Sequence, residues 1–157
     1  MAKESRTETT IVIGIGNPIL RDDSVGLKVA RSIKLAAPYV EVVETAEAGM
    51  SLLDWAPGHD RLIVIDSIKA GEGEPTGEVF KLDFDTLSPA MDFTSFHGVD
   101  IVTAFELGKR LGYQMPSRVS VYAITVRENM TFTEECSDEV EQKIPSITGE
   151  ILKEDKL

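Results

Sequence analysis

The sequence TTIVIGIGNPILRDDSVGLKVARSIKLAA, residues 9–37, lies near the N-terminus of the chain. Its first part, TTIVIGI, is β-branched and apolar on both faces, which is typical of a strand covered on both sides. After a polar loop, Val25, Val29 and Ile33 fall on one helical face. Pro38 then ends the helix. The stretch therefore predicts a strand, a loop and a helix, the repeating unit of α/β folds.

The rest of the chain continues this alternation. Further strands are predicted at VEVVE (40–44), RLIVID (61–66), EVFKLDF (78–84, an edge strand) and RVSVYAITV (118–126). Helices are predicted at GMSLLDWA (49–56), HGVDIVTAFELGKRLG (97–112) and residues 137–153, the last with a kink at Pro145. These elements predict an α/β three-layer sandwich, a mostly parallel, twisted five-stranded sheet with helices on both faces. Residues 1–8 are expected to be a disordered polar tail and residues 9–157 a single domain.

The charge and composition of the chain argue against several classes of function. Among 157 residues, 16 Lys and Arg stand against 27 Asp and Glu, for a net charge of −11. Such a surface repels phosphate backbones, so no nucleic-acid partner is expected. No apolar run approaches the ~18 residues of a membrane span, so no membrane association is expected. The single cysteine, Cys136, suits a reducing cytoplasm and is expected to be a partly buried side chain near a helix start.

The loop after the first strand does not match a phosphate-binding loop. A dinucleotide fingerprint needs G-x-G-x-x-G, and here Gly14 and Gly16 are followed by Ile19 where the last glycine would stand. Asp22 and Asp23 precede the helix, where their charges would repel a pyrophosphate. The lysine of a P-loop is missing as well. The loop therefore favours a positively charged ligand.

Three side chains that can bind a metal are predicted to converge at the carboxyl edge of the sheet, where ligands gather in doubly wound folds. Asp23 follows the first strand, Asp66 ends the third strand and His97 begins a helix. Each of them alone is also compatible with a structural role, and Asp22 is expected to cap or orient the loop. Together, two carboxylates and an imidazole suit zinc, nickel or manganese and leave room for water or substrate.

Four motifs give the chain a resemblance to a known family. GIGNPILRDDSVG, EAGMSLLD, LIVIDSI and SFHGVDIV resemble, in order and spacing, the hydrogenase maturation endopeptidases of nickel–iron hydrogenases. The resemblance implies that Asp23, Asp66 and His97 bind the metal. Asp23 stands where many relatives carry Glu, which shortens the reach of this ligand. Glu44 stands where the family has a further Asp, and TAE replaces the GGT that commonly follows it.

The resemblance also implies a task. Endopeptidases of this family remove the C-terminal extension of a hydrogenase large-subunit precursor after nickel has been inserted, so this precursor is the expected partner. Nickel is expected to arrive with the substrate, and zinc or another divalent cation can occupy the site in vitro. Substrate contacts are expected from the two glycine-containing motifs, at Gly14, Gly16, Asn17 and Gly49.

The cleavage step has two possible mechanisms at this point, and both use residues of the predicted site. In the first, the metal acts as a Lewis acid on the scissile carbonyl or on a water molecule. In the second, a carboxylate, Glu44 or Asp23, is catalytic as the general base that activates the attacking water. The residues alone leave both open.

Two other functions fit parts of the pattern. The first is a nickel-binding maturation chaperone with the same fold. Loss of the catalytic role of Glu44 would leave such a protein without peptidase activity. A receiver-type signalling domain also has acids at strand ends and a metal. In such a domain the acid pair follows the first strand immediately and a lysine follows the last strand. Here the pair lies well within the loop and the last strand leads into RENM, so the acid positions favour the peptidase.

Overall fold

The computed structural model describes residues 6–47, 49–86, 98–127 and 130–157. The strands in these parts of the chain are Thr10–Ile15 (β1), Glu41–Thr45 (β2), Arg61–Lys69 (β3), Val79–Leu82 (β4) and Arg118–Val126 (β5). The helices are Val25–Ala36 (α1), Leu52–Trp55 (α2), Gly98–Arg110 (α3), Asp138–Glu141 (α4) and Ile144–Glu154 (α5). Short 3₁₀ turns lie at Arg21–Ser24, Gly49–Ser51 and Phe84–Thr86.

The strands form one sheet in the order β2-β1-β3-β5-β4. β1 pairs in parallel with β2 and β3, and β3 pairs in parallel with β5. The edge strand β4 is antiparallel to β5. Because parallel neighbours need a crossover connection, the helices between them lie on the faces of the sheet. The prediction of a mostly parallel α/β sheet is confirmed.

Each face of the sheet carries its own apolar core. The helices α1, α4 and α5 cover one face, where Val12 and Ile63 are fully buried. The helices α2 and α3 cover the other face, where Ile13 and Val64 are buried. Since neighbouring residues of a strand point to opposite faces, β1 and β3 are apolar almost without interruption. Each fully buried side chain of this kind contributes about 1.5–3 kcal/mol, so the two cores fix the three-layer arrangement.

Glycines allow α1 to lie close to the sheet. A Cβ atom on Gly26 in α1 would lie 2.5 Å from the carbonyl oxygen of Ile15 and 2.6 Å from that of Ile65. A Cβ atom on Gly14 in β1 would lie 2.5 Å from the carbonyl oxygen of Gly26. Any larger residue would therefore push α1 away from β1 and β3. This contact brings the turn before α1 against the carboxyl ends of the two central strands.

Two elements differ from the sequence-based expectation. β3 continues beyond Asp66 to Lys69, because its pairing with β5 continues to the pair Lys69–Val126. Asp66 therefore lies within β3 rather than at its end. The C-terminal segment forms two helices, α4 and α5, instead of one kinked helix. Pro145 lies in the first turn of α5, where its missing N–H group leaves no helical hydrogen bond unmade.

Residues 6–9, which precede β1, contact the domain. Arg6 pairs with Asp60 at 3.5 Å, and Glu8 forms an ion pair with Arg118. The backbone N–H and the hydroxyl of Thr9 donate hydrogen bonds to the carboxylate of Asp60. Residues 1–5 of the tail that was predicted to be disordered lie outside the described residues.

Cys136 is a buried side chain directly before Ser137, the N-cap residue of α4. This confirms its expected position near a helix start. Burial raises the pKa of its thiol, so the reactive thiolate is disfavoured. Among the described residues, no helix combines the length and the apolar character that a membrane span requires.

Asp155, directly after α5, anchors the C-terminal helix to the sheet. Its buried carboxylate accepts hydrogen bonds from Arg61 at 2.7 Å, from Ser120 at 2.9 Å and from the hydroxyl of Tyr122. Arg61 also donates to the backbone carbonyl of Asp155 at 2.7 Å. The guanidinium compensates the carboxylate, because a charge buried without a partner is costly.

Candidate functional site

The carboxyl ends of β1 and β3 form the topological switch point of the sheet. From β1 the chain passes through α1 to β2 on one side, and it then returns through α2 to β3 on the other side of β1. Ligands bind at such points because the diverging connections leave a crevice. The last pair between β1 and β3 is Gly14–Ile65, so Asp66 lies where this pairing ends.

Asp23 lies in the 3₁₀ turn between β1 and α1. Its Oδ2 accepts a hydrogen bond from the backbone N–H of Asn17 at 2.9 Å. Its Oδ1 accepts a hydrogen bond from the hydroxyl of Ser67 at 3.0 Å. Both donors are neutral, and within the described parts of the chain no cationic side chain pairs with this carboxylate. Within the described residues, no positively charged side chain therefore neutralises the Asp23 carboxylate.

Ser67 connects the two candidate carboxylate ligands. Asp66 is fully buried, and its Oδ1 accepts a hydrogen bond from the backbone N–H of Ser67 at 2.8 Å. The hydroxyl of the same serine donates to Asp23. The described residues contain no cluster of three His, Cys, Asp or Glu side chains suited to a metal, and the predicted third ligand, His97, lies outside them. The structure thus links Asp23 and Asp66 through hydrogen bonds to one buried serine.

Asp22, the neighbour of Asp23, has a different environment. Its side chain is buried, and its two oxygens accept hydrogen bonds from the backbone N–H of Ser137 at 2.7 Å and from the Ser137 hydroxyl at 2.8 Å. Since Ser137 is the N-cap residue of α4, Asp22 ties the loop after β1 to the start of that helix. The expectation that Asp22 orients the loop agrees with this geometry.

Glu44 is not joined to these carboxylates. It forms a two-pronged ion pair with Arg31 of α1, with nitrogen–oxygen distances of 2.6 and 3.3 Å. The hydrogen bond to Glu44 raises the pKa of Arg31. By alternation along the paired strands, Glu44 and Asp66 lie on opposite faces of the sheet. Within the described residues no hydrogen bond joins Glu44 to Asp23 or Asp66, and its catalytic role stays a prediction.

The residues expected to contact the substrate have local structural contacts. A Cβ atom on Gly16 would collide with the carbonyl oxygen of Asp23. The side-chain oxygen of Asn17 accepts a backbone N–H of the same loop at 3.1 Å. Gly14 contacts α1, and Gly49 has a φ of 79°, which favours glycine. These contacts shape the loops beside the crevice, and substrate binding by these residues stays a prediction.

Comparison with known proteins assigns the chain to a family. The family model HycI, described as hydrogenase maturation protease, matches residues 5–154. The chain belongs to the hydrogenase maturation protease family. The hydrogenase 2 maturation protease of Escherichia coli (strain K12) is 31% identical over 68 residues, which cover 41% of this chain and 42% of that protein. The matched region thus spans less than half the length of this relative.

Solved structures of hydrogenase maturation proteases share the fold. The hydrogenase maturating endopeptidase HybD from E. coli has a TM-score of 0.67 at 22% identity, over 94% of this chain and 93% of that chain. The nickel–iron hydrogenase maturation protease HycI from Thermococcus kodakarensis KOD1 has a TM-score of 0.66 at 21% identity, over 95% and 93% of the two chains. The family assignment goes against the receiver-type alternative.

In this member of the hydrogenase maturation protease family, sequence reasoning missed the partners of the acidic residues. Ser67 bonds Asp23 from β3, and Arg31 pairs with Glu44 from α1. The signal for Ser67 was present, since it is a hydroxyl within the apolar run LIVIDSI. A buried hydroxyl needs a hydrogen-bond partner, which a carboxylate at the same edge provides.

Proposed function

We propose that this family member is an endopeptidase that removes the C-terminal extension of a nickel–iron hydrogenase large-subunit precursor after nickel insertion. The observation that carries the proposal is the pair of carboxylates, Asp23 and Asp66, at the switch point of the sheet. Membership of the hydrogenase maturation protease family supports the reaction class. The structural neighbour HybD is itself described as a hydrogenase maturating endopeptidase.

The surroundings of Asp23 suit a cation that comes from outside the chain. Its two hydrogen bonds come from neutral groups, the N–H of Asn17 and the hydroxyl of Ser67. They fix the carboxylate without neutralising its charge. Each carboxylate oxygen that accepts one hydrogen bond keeps a further lone pair, which is available to a metal.

Nickel fits this donor set as part of the substrate. Asp23 and Asp66 offer carboxylate oxygens, and His97 would add an imidazole nitrogen. The cysteine thiolates of the precursor would bind nickel more tightly than these oxygens do, so the precursor is the carrier of the metal. When bound at the crevice, the metal supplies Lewis-acid polarisation of the scissile carbonyl.

For the proton transfer from water, Asp23 is the better supported of the two candidate carboxylates. Glu44 would first have to break its two-pronged pair with Arg31. Asp23 is already fixed at the crevice by two hydrogen bonds. A general base must lie within hydrogen-bond reach of the water that it activates, so this role requires the substrate to bind with its scissile bond beside Asp23.

The test is to mix the purified chain with nickel-loaded precursor and to measure the mass of the large subunit. We expect the wild-type chain to remove the C-terminal extension. Asp66→Asn keeps the size of the side chain but removes its charge, and it should abolish processing. Glu150→Gln, which removes an exposed charge on α5, is the matched control and should process at the wild-type rate.

Each outcome of this experiment has a defined meaning. Processing by wild type and by Glu150→Gln, but not by Asp66→Asn, supports the proposal. Processing by Asp66→Asn at the wild-type rate would show that the cleavage site is elsewhere. If the wild-type chain binds the nickel-loaded precursor without shortening it, the nickel-binding chaperone is the correct alternative.

A further inference from the structure

Ser67 is a polar residue at a buried position of a central strand. It is 1% exposed, and it follows Asp66 in the run LIVIDSI of β3. Burial of a hydroxyl without a hydrogen bond costs about 1–3 kcal/mol, so its partner accounts for its presence there. Among the described residues, the partner of this hydroxyl is the Oδ1 of Asp23 at 3.0 Å.

The two hydrogen bonds of Ser67 reach two different carboxylates. Its backbone N–H donates to Asp66 within β3, and its side chain donates to Asp23 across the crevice. Asp23 belongs to the turn before α1 and lies 44 positions before Ser67 in sequence. The hydroxyl is therefore the direct link between the turn and the strand that carry the two candidate ligands.

We propose that Ser67 is a positioning residue that fixes the Asp23 carboxylate relative to Asp66, so that both are ready for one cation. This inference rests on the proposed function, because it assigns the cation to the same crevice. The Asn17 N–H binds one oxygen of Asp23 and the Ser67 hydroxyl binds the other, so rotation of the carboxylate would break a hydrogen bond. Ligands fixed in this way bind a metal more tightly, since less conformational freedom is lost on binding.

The chain offers a matched control for the Ser67 hydroxyl. Ser120 of β5 also donates a hydroxyl hydrogen bond from a strand to a buried carboxylate, at 2.9 Å to Asp155. Ser67→Ala and Ser120→Ala each remove one such bond, and the two variants should lower the melting temperature by similar amounts. A change in metal binding that occurs only in the Ser67 variant is therefore not an effect of stability.

The experiment is to titrate the folded, full-length chain with Ni²⁺ alone by calorimetry and then to process nickel-loaded precursor with each variant. For Ser67→Ala we expect the Kd for Ni²⁺ and the KM for the precursor to rise by about 10- to 100-fold. Ser67→Thr, which keeps the hydroxyl and adds no nickel-binding group, should retain tighter Ni²⁺ binding than Ser67→Ala. Ser120→Ala should leave both constants unchanged.

Several results would overturn the inference. If wild type binds Ni²⁺ and processes the precursor, and Ser67→Ala does both equally well, Ser67 has no positioning role and the proposed function stands. If Ser67→Thr loses Ni²⁺ binding as fully as Ser67→Ala, the hydroxyl is not the group that matters. If Ser120→Ala weakens binding as much as Ser67→Ala, the effect is one of general stability. If wild type neither binds Ni²⁺ nor processes the precursor, the proposed function and the role of Ser67 both fail.

Discussion

Asp23 and Asp155 are two carboxylates that accept similar hydroxyl hydrogen bonds and differ in the rest of their surroundings. Asp23 accepts from Ser67 at 3.0 Å, and Asp155 accepts from Ser120 at 2.9 Å. The further donor to Asp23 is a neutral backbone N–H group. The further donors to Asp155 are the hydroxyl of Tyr122 and the guanidinium of Arg61, at 2.7 Å.

This difference separates a structural carboxylate from one that is available to a ligand. The charge of Asp155 is compensated within the chain, by an arginine that also binds the end of α5. The Asp23 carboxylate is held in one orientation by two hydrogen bonds, but within the described residues no cationic side chain compensates its charge. The first arrangement stabilises the fold, and we propose that the second receives a cation.

The largest effect on stability is expected for Arg61→Ala. The variant leaves the Asp155 carboxylate buried without its cation, because the two side chains are only 11% and 6% exposed. Removal of one partner of a buried ion pair costs about 3–5 kcal/mol. Urea unfolding measures the change in the free energy of unfolding.

Arg118→Ala is the control for Arg61→Ala. Arg118 starts β5 and pairs with Glu8, but these side chains are 60% and 43% exposed. An exposed pair contributes about 0–1 kcal/mol, so this variant should unfold almost like wild type. If Arg61→Ala were as stable as Arg118→Ala, the compensation of Asp155 would not be the stabilising feature that the comparison assumes.

Asp23→Asn should mainly reduce activity, whereas Asp22→Asn should mainly reduce stability. Asp23→Asn should lower the processing rate by more than about 100-fold, because it removes a ligand charge at the crevice. Asp22→Asn should lower the free energy of unfolding by about 1–2 kcal/mol, because Asp22 accepts two hydrogen bonds from the N-cap of α4. Processing assays and urea unfolding of both variants measure the two effects.

The opposite result would contradict the roles assigned to Asp22 and Asp23. If Asp22→Asn lost processing and Asp23→Asn lost stability, Asp22 would be the ligand. Equal losses of processing in two stably folded variants would mean that both acids serve the site.

A smaller effect is expected at alkaline pH, through Tyr122. Burial, and then the hydrogen bond to Asp155, raise the pKa of the Tyr122 phenol. A raised pKa in the folded state means that this contribution to stability is complete below the unfolded pKa of about 10 and is lost as the pH rises above it. The free energy of unfolding should therefore fall by up to about 1.4 kcal/mol per pH unit above pH 10.

The Tyr122→Phe variant checks the origin of this pH dependence. Without an ionisable phenol at this position, the fall in the free energy of unfolding above pH 10 should be weaker than in wild type. Urea unfolding at pH 8 and at pH values above 10 measures the difference. Identical pH profiles of the two proteins would show that Tyr122 does not cause the fall.

The sequence predicts the sheet well because its signals are local. Apolar residues on both faces of β1 and β3, and the proline after α1, act within a few neighbouring positions. The true end of β3 depends on pairing with β5, which lies far along the chain, and the sequence does not reveal it. The sequence likewise predicts a kink where α4 and α5 are separate helices, because Pro145 is compatible with a helix start as well as with a bend.

The candidate site was predicted by residue type but not by its hydrogen bonds. Asp23 follows β1, and Asp66 lies where the pairing of β3 with β1 ends, so both residues lie at one edge of the sheet. The partners that distinguish the acids are distant in sequence: Ser137 lies 115 positions from Asp22, and Ser67 lies 44 positions from Asp23. Such contacts depend on tertiary packing, so the local pattern marks Ser67 as a buried hydroxyl but does not identify the carboxylate that it binds.

The central claim is that the crevice at Asp23 and Asp66 receives a cation that the substrate delivers. The direct measurement treats the chain with a chelator, removes the chelator, and adds the chain to precursor with or without nickel. Two carboxylates and one imidazole would be an incomplete, reversible metal site, unlike a closed structural zinc site, so the melting temperature of the treated chain should equal that of the untreated chain. Mass spectrometry should then show loss of the C-terminal extension from the nickel-loaded precursor alone. Processing of the nickel-free precursor at a similar rate would contradict the account.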